Sequence, residues 1–275
     1  MTAGRRTRLI LVEGLPGAGK TTLARKLATD LRVQGREVAL YLEGDLHPCD
    51  LQWISRMDPA TYDEAVAHLH QQWLGSARSE PWESILAKLR RFTLEEDGFV
   101  LTAYTKLDFA DNDLWGAIDR FRNSEVHNAR VGTQAYREIY QQRWHRFGEE
   151  QHGKQATYVF ECAFLQSHVT ELLAHHRMDA GGIVDFLNHL VEPVRHMQPE
   201  LCYVQATDYP QRIREAAAER GDWLDSLVNY ISRSPYGQDR SLEGLDGALA
   251  FFARRTEIEH VAMEQLGLPV HIVSR

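Results

Sequence analysis

Residues 14–21 read GLPGAGKT, an uninterrupted match to the pattern G-x-x-x-x-G-K-[ST]. The apolar run LILV at 9–12 stands just before it and indicates a buried strand. After it, Leu23, Leu27 and Leu31 recur every four residues, as on one face of a helix. Strand, glycine-rich turn and helix form the context in which this pattern binds phosphate groups. Residues 14–21, hereafter the glycine-rich turn, are therefore predicted to hold a polyphosphate.

The residue types of the glycine-rich turn explain the expected chemistry. Glycine adopts backbone angles closed to other residues, so successive N–H groups can point inward to phosphate oxygens. The N-terminus of the following helix adds the positive end of its dipole. We expect Lys20 to contact the β- and γ-phosphates and the Thr21 hydroxyl to bind a phosphate-bound Mg²⁺. A turn that bound nothing would not need Lys and Thr at these offsets. The predicted nucleotide contacts in this stretch are Gly14, Pro16, Gly17, Ala18, Gly19, Lys20, Thr21 and Thr22.

Composition limits the classes of protein that the chain can represent. At 275 residues, with 43% apolar and 25% charged residues, it is long enough for one α/β domain with a sizeable insertion. The net charge of −8 argues against nucleic acid as a partner, and no apolar stretch is long enough to predict a membrane span. Three widely spaced cysteines and a short first apolar run predict reduced thiols, no secretory signal and a cytoplasmic location. Whether the chain forms a homodimer is left open.

The rest of the chain is expected to form one α/β domain, residues 1–275. Further core strands are predicted at Glu37–Leu42, Thr157–Phe160, Leu201–Ala206 and Pro269–Val273. Residues 46–155 lack a core strand rhythm and are interpreted as a helical insertion, with helices at 60–74, 81–92, 115–127 and 133–150 and a short strand or buried turn at 99–104. Residues 221–242 mix Gly, Ser, Pro and Arg, which favours a mobile, lid-like segment.

Carboxylates follow two of the predicted strands. Ligands of open α/β sheets lie beyond the carboxyl ends of the strands, which would place Glu43 and Asp45 near the phosphates. Asp45 is interpreted as the general base, or else as a turn cap before Pro48. Glu43 would share this role or bind the second substrate. Glu161 is expected to orient Mg²⁺ through water and to border the substrate, or else to form a core ion pair.

Aromatic and basic residues complete the predicted site. Trp53 is one of five tryptophans within residues 46–155, where they form either helix-packing core or an aromatic wall for a substrate. Arg212 is a candidate for binding the nucleotide and Arg214 for catalysis, because a transferring phosphoryl group needs a cation that arrives on closure. Each of these arginines has a solvated surface position as its alternative.

Three stretches of the chain resemble the thymidylate kinase and deoxynucleoside kinase group. They are LVEGLPGAGKTT at 11–22, YVFECAF at 158–164 and PELCYVQATDYPQRIREAAAERG at 199–221. The resemblance implies a P-loop NTPase-type three-layer fold with a five-stranded parallel sheet, ATP as donor, Mg²⁺, and a lid that carries arginines. Thymidylate kinases hold the phosphate of their acceptor with arginines where this chain has Cys162 and the segment Glu43-Gly44-Asp45. The departure favours a neutral hydroxylated acceptor, nucleoside-like or antibiotic-like.

The expected function is transfer of the γ-phosphoryl group of ATP to a hydroxyl of a small molecule, with Lys20, Asp45 and Arg214 as catalytic residues. Three alternatives stay open. Thr105-Lys106-Leu107-Asp108 matches the [NT]-K-x-D pattern of guanine recognition in GTP-hydrolysing switches, although no D-x-x-G precedes it after the glycine-rich turn. A nucleotide-gated regulatory protein would keep the turn without an acceptor site. A nucleic-acid end kinase is disfavoured by the acidic charge balance.

Overall fold

A computed structural model of the chain describes residues 6–76, 80–108, 112–206, 208–219 and 223–274. The strands are β1 (Leu9–Gly14), β2 (Val38–Tyr41), β3 (Ser55–Met57), β4 (Thr93–Glu96), β5 (Phe99–Thr102), β6 (Thr157–Glu161), β7 (Pro199–Gln205) and β8 (Val270–Ser274). The α-helices are α1 (Lys20–Val33), α2 (Pro59–Gly75), α3 (Trp82–Arg91), α4 (Asp119–Arg122), α5 (Thr133–Glu150), α6 (Leu165–Ala174), α7 (Ala180–Val191), α8 (Tyr209–Glu219), α9 (Trp223–Arg233), α10 (Pro235–Asp239) and α11 (Gly244–Gln265). Short 3₁₀ helices cover Tyr104–Lys106, Asn112–Ile118 and Glu192–Met197.

The chain forms two compact units. The first combines the residues up to Leu42 with those from Gly132 onward, and the second is Glu43–Val131. Helix α5 falls in the first unit, although the sequence places it in the predicted insertion 46–155. Its Trp144 and Phe147 rings lie 6.3 and 5.3 Å from the Phe160 ring on β6, which ties the helix to the larger sheet.

A five-stranded, all-parallel sheet organises the first unit, in the order β2-β6-β1-β7-β8. The predicted α/β class and the five-stranded parallel sheet are thereby confirmed. Strand β1 lies at the centre, where Leu11 pairs with Phe160 of β6 on one side and with Leu201 of β7 on the other. Every residue of β1 is buried. A parallel strand covered on both faces needs such a continuous apolar run.

The strand order defines a crevice at the carboxyl ends of β1 and β6. After β1 the chain crosses to β2 on one side of the sheet, whereas after β6 it crosses to β7 on the other side. Neighbouring strands whose connections leave in opposite directions form the topological switch point, which is where open α/β sheets bind ligands. The glycine-rich turn follows β1, and Glu161 is the last residue of β6.

Helix α1 covers the sheet next to the glycine-rich turn. Its buried side chains Ala24, Ala28 and Leu31 belong to the same apolar cluster as Val12 and Val159 of the two central strands. The predicted four-residue leucine spacing therefore does mark the face that packs on the sheet, with the two alanines allowing close approach. The helix starts at Lys20, directly after a left-handed glycine.

The second unit contains a three-stranded antiparallel sheet in the order β3-β5-β4, together with α2, α3 and α4. The sequence predicts mostly helix here and a strand or buried turn at 99–104, and of this sheet it anticipates β5 alone. Strands β3 and β4 are three and four residues long, too short for a period-two pattern to stand out. The helix expected at 115–127 is a 3₁₀ helix followed by the four-residue α4.

The segment 221–242, interpreted from sequence as lid-like, contains two helices, α9 and α10. Ile231 of α9 is buried, and the Ser234 hydroxyl caps α10 by accepting a hydrogen bond from the Gly237 N–H at 3.0 Å. Ser, Pro and Gly, whose mixture favoured a mobile segment, also occupy helix caps and first turns, so composition alone does not reveal these helices. Among the described residues, no helix is both long and apolar enough to cross a lipid bilayer.

Candidate phosphate-binding site

The backbone of the glycine-rich turn has the angles that its glycines were expected to provide. Gly14, Gly17 and Gly19 have φ values of 138°, 78° and 91°. Gly14 also has no room for a side chain, because a Cβ atom there would lie 2.3 Å from the Val204 carbonyl oxygen of β7. Any side chain at this position would clash with the neighbouring strand backbone, so the turn can leave β1 only through a glycine.

Lys20 is the first residue of α1, and its side chain folds back over the turn. Only 6% of the residue is exposed, and its Nζ donates to the Leu15 carbonyl oxygen at 2.9 Å. The Ala18 N–H donates to the same oxygen at 3.2 Å. The ammonium is thus buried and bonded to the backbone of the turn. A buried cation in that position attracts anions, which is the role the sequence predicts for it.

Thr21 and Glu161 meet, although 140 positions separate them in the chain. The Thr21 hydroxyl donates to Oε1 of Glu161 at 2.6 Å, and Glu161 is 3% exposed. The register of the sheet places Glu161 opposite Val12, two residues before β1 ends. A hydroxyl and a carboxylate so close together are oxygen donors of the kind that Mg²⁺ prefers, so these two residues fit the predicted metal-binding pair.

The residue after Glu161 has an unusual backbone conformation. Cys162 has a φ of 66°, although it is not a glycine. Its N–H donates to the Val12 carbonyl at 3.1 Å, and its own carbonyl accepts from the Ser167 N–H at 3.2 Å. Left-handed non-glycine residues cost energy and persist only where their surroundings impose them. Here the conformation occurs directly after Glu161, the last residue of β6.

Glu13 is an acidic residue that lies inside the apolar strand β1, and sequence reasoning gave it no role in the site. Its two carboxylate oxygens accept hydrogen bonds from the N–H groups of Phe164 and Gln166, each at 2.8 Å. Burial raises the pKa of Glu13 to about 8, and the negative charge of Glu259 adds to the increase, while the two N–H donors oppose it. A carboxylate within an apolar strand was the signal in the sequence that could have identified this residue.

Arg255 was also missed, and it contacts the glycine-rich turn directly. It lies on α11 and is 1% exposed. Its Nη2 donates to the Gly14 carbonyl oxygen at 3.1 Å, and its Nε donates to Glu259 at 2.7 Å. The hydroxyl of Tyr203 on β7 donates to the second oxygen of Glu259 at 2.6 Å. No sequence pattern links residues 241 positions apart, so this contact had no signal before the fold was known.

The arginines predicted to act on phosphate are exposed. Arg212 lies on α8 in an ion pair with Glu215 at 3.3 Å, and Arg214 lies on the same helix. Thr22 and Pro16 lie with the glycine-rich turn, Thr22 exposed on α1 and Pro16 half-buried. The structure therefore gathers the turn, Lys20, Thr21 and Glu161 in one place and leaves the roles of the two arginines as predictions.

In the second unit, three predicted residues are gathered around Lys106. The Lys106 ammonium lies 3.0 Å from the Asp45 carboxylate and donates to the Glu43 carbonyl at 3.2 Å. The indole N–H of Trp53 donates to the Glu43 carboxylate at 3.0 Å. Trp53 is 39% exposed and has a φ of 64°, an outlier for a bulky residue. We call Glu43, Asp45, Trp53 and Lys106 the acceptor cluster, after the role predicted for its first three members.

The quartet Thr105–Asp108 takes part in the same arrangement. Its Lys106 bonds within the acceptor cluster, and the Thr105 hydroxyl lies 3.1 Å from the position of a Cβ on Gly44. The quartet therefore packs against the segment 43–45, and Lys106 supplies a cation to a carboxylate.

No protein-family model matches this sequence, and no curated protein matches it significantly. We therefore infer the function from the contacts of the glycine-rich turn and from those of the acceptor cluster.

Proposed function

We propose that the protein is an ATP-dependent phosphotransferase with a P-loop NTPase-type fold, which transfers the γ-phosphoryl group to a hydroxyl of a small molecule. One observation carries the proposal. At the switch point of a parallel sheet, a turn with three left-handed glycines accepts a hydrogen bond from the Lys20 ammonium, and the next residue, Thr21, bonds to the Glu161 carboxylate. Backbone N–H groups, a cation and paired oxygen donors are the parts needed to hold a polyphosphate and its metal ion.

Each part has a separate task. The backbone N–H groups of the turn and the N-terminus of α1 bind the phosphates. Lys20 exchanges the Leu15 carbonyl for a phosphate oxygen and stabilises the negative charge that develops during transfer. Arg212 and Arg214, both exposed, are proposed to bind the nucleotide and to stabilise the transferring group. Thr21 and Glu161 would hold Mg²⁺, which neutralises charge on the β- and γ-phosphates.

The acceptor is proposed to be a neutral hydroxylated molecule, nucleoside-like or antibiotic-like. Asp45 is proposed to take the proton of the acceptor hydroxyl while the hydroxyl oxygen forms a bond to the γ-phosphorus. The bond between the γ-phosphorus and the β–γ bridging oxygen breaks at the same time, and ADP leaves. Trp53 offers a half-exposed indole whose orientation is fixed by Glu43, which suits stacking on a planar group. Glu43 and Asp45 stand where thymidylate kinases, which the chain resembles, carry a phosphate-binding arginine, and carboxylates would repel an anionic acceptor.

A screen for ADP release tests the proposal. The wild-type protein is incubated with Mg²⁺ and ATP over a panel of nucleosides, vitamins, sugars and antibiotics, and product is confirmed by mass spectrometry. At least one neutral hydroxylated compound should be phosphorylated. K20A should lower that turnover about a hundredfold or more. K26A is the matched control, because Lys26 lies two turns along the same helix in an exposed ion pair with Asp30 and should be dispensable.

Other outcomes of the same assay favour the alternatives. Strong preference for GTP that is lost in D108N would support a GTP-hydrolysing switch. Acceptor-independent hydrolysis of ATP, with no phosphorylated product from the panel, would support a nucleotide-gated regulatory protein. If calorimetry with Mg²⁺ and either purine triphosphate detects no saturable binding, the proposed function is wrong.

A further inference from the structure

Arg255, Glu259, Tyr203 and the Gly14 carbonyl form a buried polar network that the proposed function does not yet use. The guanidinium bonds to Glu259 through Nε and to Gly14 through Nη2, and Tyr203 bonds to Glu259 from β7. Arg255, Glu259 and Tyr203 are 1%, 0% and 2% exposed. Burial raises the pKa of the Tyr203 hydroxyl, and the neighbouring Glu259 carboxylate raises it further, which keeps the hydroxyl as a donor.

Stability is a weak reason for such a network. Desolvation of a buried ion pair offsets most of the attraction between its members, and apolar side chains of similar volume often serve equally well. Arginine, however, presents several donors in a rigid plane, so it can bond to a carboxylate and to a second acceptor at once. Here the second acceptor is a main-chain carbonyl at the exact residue where β1 becomes the glycine-rich turn.

The position of that carbonyl gives the network a consequence for the turn. A peptide unit is planar, so holding the Gly14 carbonyl also fixes the direction of the Leu15 N–H on the far side of the same plane. The next carbonyl along the chain, that of Leu15, is held by Lys20. Arg255 and Lys20 therefore hold two consecutive peptide planes at the start of the turn. When Lys20 turns to a phosphate, Arg255 is the side chain that continues to hold the backbone.

We propose that Arg255 is a positioning residue that orients the Gly14–Leu15 peptide for nucleotide binding, with its guanidinium held by Glu259, which Tyr203 holds in turn. This inference rests on the proposed function. It predicts that loss of the Arg255–Gly14 bond weakens nucleotide binding through the turn, beyond any effect on folding, because donors that must be reoriented on binding bind less tightly than donors already in place.

Two variants separate positioning from folding. R255K keeps a buried cation for Glu259 but replaces the rigid fork by a single ammonium that cannot reproduce both bonds in their planar geometry. The triple variant R255M/E259M/Y203F replaces the whole network by apolar side chains and leaves no buried charge unpaired. R254M is the matched control, since Arg254 is the neighbouring residue on α11 and forms an exposed pair with Glu257 at 2.7 Å.

The dissociation constant of Mg²⁺-ATP is measured by calorimetry on folded protein, and the ¹⁵N shift of the Leu15 amide is recorded by NMR. We expect R255K and the triple variant to bind about tenfold more weakly and to shift the Leu15 amide, because a hydrogen bond from a charged group is lost. R254M should match the wild type in both measurements. A folded triple variant with wild-type affinity and an unchanged Leu15 amide overturns the inference.

The failures of the two proposals are distinguishable. If the wild-type protein binds no purine triphosphate, the proposed function fails, and with it the role of Arg255 in binding, whatever the Leu15 amide shows. If the wild type binds Mg²⁺-ATP and the variants bind equally well, the proposed function stands and the inference about Arg255 is wrong.

Discussion

The two units of the molecule hold their polar residues in different ways. In the first unit, Lys20, Glu161 and Arg255 are 6%, 3% and 1% exposed, and each has hydrogen-bonding partners around the glycine-rich turn. In the second unit, the side chains of Asp45 and Lys106 are 35% and 31% exposed, and Trp53 is 39% exposed.

This difference in burial is consistent with different proposed roles for the two groups of residues. Buried groups that bond to one another are pre-organised and lose little freedom when a ligand binds. This property suits a site proposed to bind the same nucleotide in every catalytic cycle. Half-exposed side chains can rearrange, and their ion pairs are weak in solvent. This property suits a site proposed to recognise acceptor molecules of differing structure. The residues proposed to bind phosphate are thus expected to tolerate substitution poorly, and those of the acceptor cluster to tolerate it better. The predictions that follow test this contrast.

The largest expected effect is at Gly14, where an added side chain would meet the backbone of β7. G14A combines a φ of 138° with a Cβ placed 2.3 Å from the Val204 carbonyl, so we expect a loss of about 4 kcal/mol in the free energy of unfolding. Urea denaturation measures it. G35A is the matched control, because Gly35 has a φ of 77° with no atom within 4 Å of the added Cβ, and it should cost about 1 kcal/mol. Equal losses in the two variants would show that β7 yields to the new side chain.

The next effect concerns catalysis in the acceptor cluster. D45N keeps the size of the side chain but cannot accept a proton, so the turnover number should fall about a hundredfold with little change in the dissociation constant of ATP. Single-turnover kinetics with the acceptor found in the screen measures the chemical step. D63N, an exposed substitution on α2, serves as the control. Turnover of D45N at the wild-type rate would remove Asp45 as the general base.

An effect that is smaller per pH unit is expected in the pH dependence of stability, through Glu13. Because the folded pKa, about 8, lies above the ordinary value of 4.5, the folded protein binds the proton more tightly than the unfolded chain. The stabilising contribution is complete below pH 4.5 and is lost as the pH rises to 8, by up to about 1.4 kcal/mol per pH unit. Denaturation between pH 5 and 8 should show this slope in the wild type and a flatter one in E13Q. Identical slopes in both proteins would mean that Glu13 is ionised throughout.

The smallest effect tests how Trp53 is oriented. W53F keeps an aromatic ring but loses the N–H that donates to Glu43, so the KM for the acceptor should rise about threefold while the KM for ATP stays constant. W73F is the matched control in the same unit, because Trp73 also donates its indole N–H, to the Glu80 carbonyl at 2.8 Å, and it packs against the apolar core of that unit, outside the acceptor cluster. A change in the KM for ATP alone would contradict the assignment of Trp53 to the acceptor.

Helices and strands with a clear local pattern of apolar residues were predicted more closely than those without one. The parallel strands and the helices α2, α3 and α5 were predicted within one or two residues, because apolar periodicity is a local property. Strands β3 and β4 were missed, and helices α9 and α10 were not predicted within the segment 221–242. In those places the local preference is weak, and packing of side chains such as Met57 and Ile231 into the cores decides the structure.

By itself the sequence determined the glycine-rich turn, because the need for glycine at left-handed angles and the presence of Lys20 and Thr21 are properties of consecutive residues. Only the tertiary structure decided which distant groups complete it. The Thr21–Glu161 bond and the Arg255–Gly14 bond join residues 140 and 241 positions apart. The burial that raises the pKa of Glu13 likewise exists only once helices cover the sheet. Such contacts depend on how whole elements pack, which no local pattern of residues encodes.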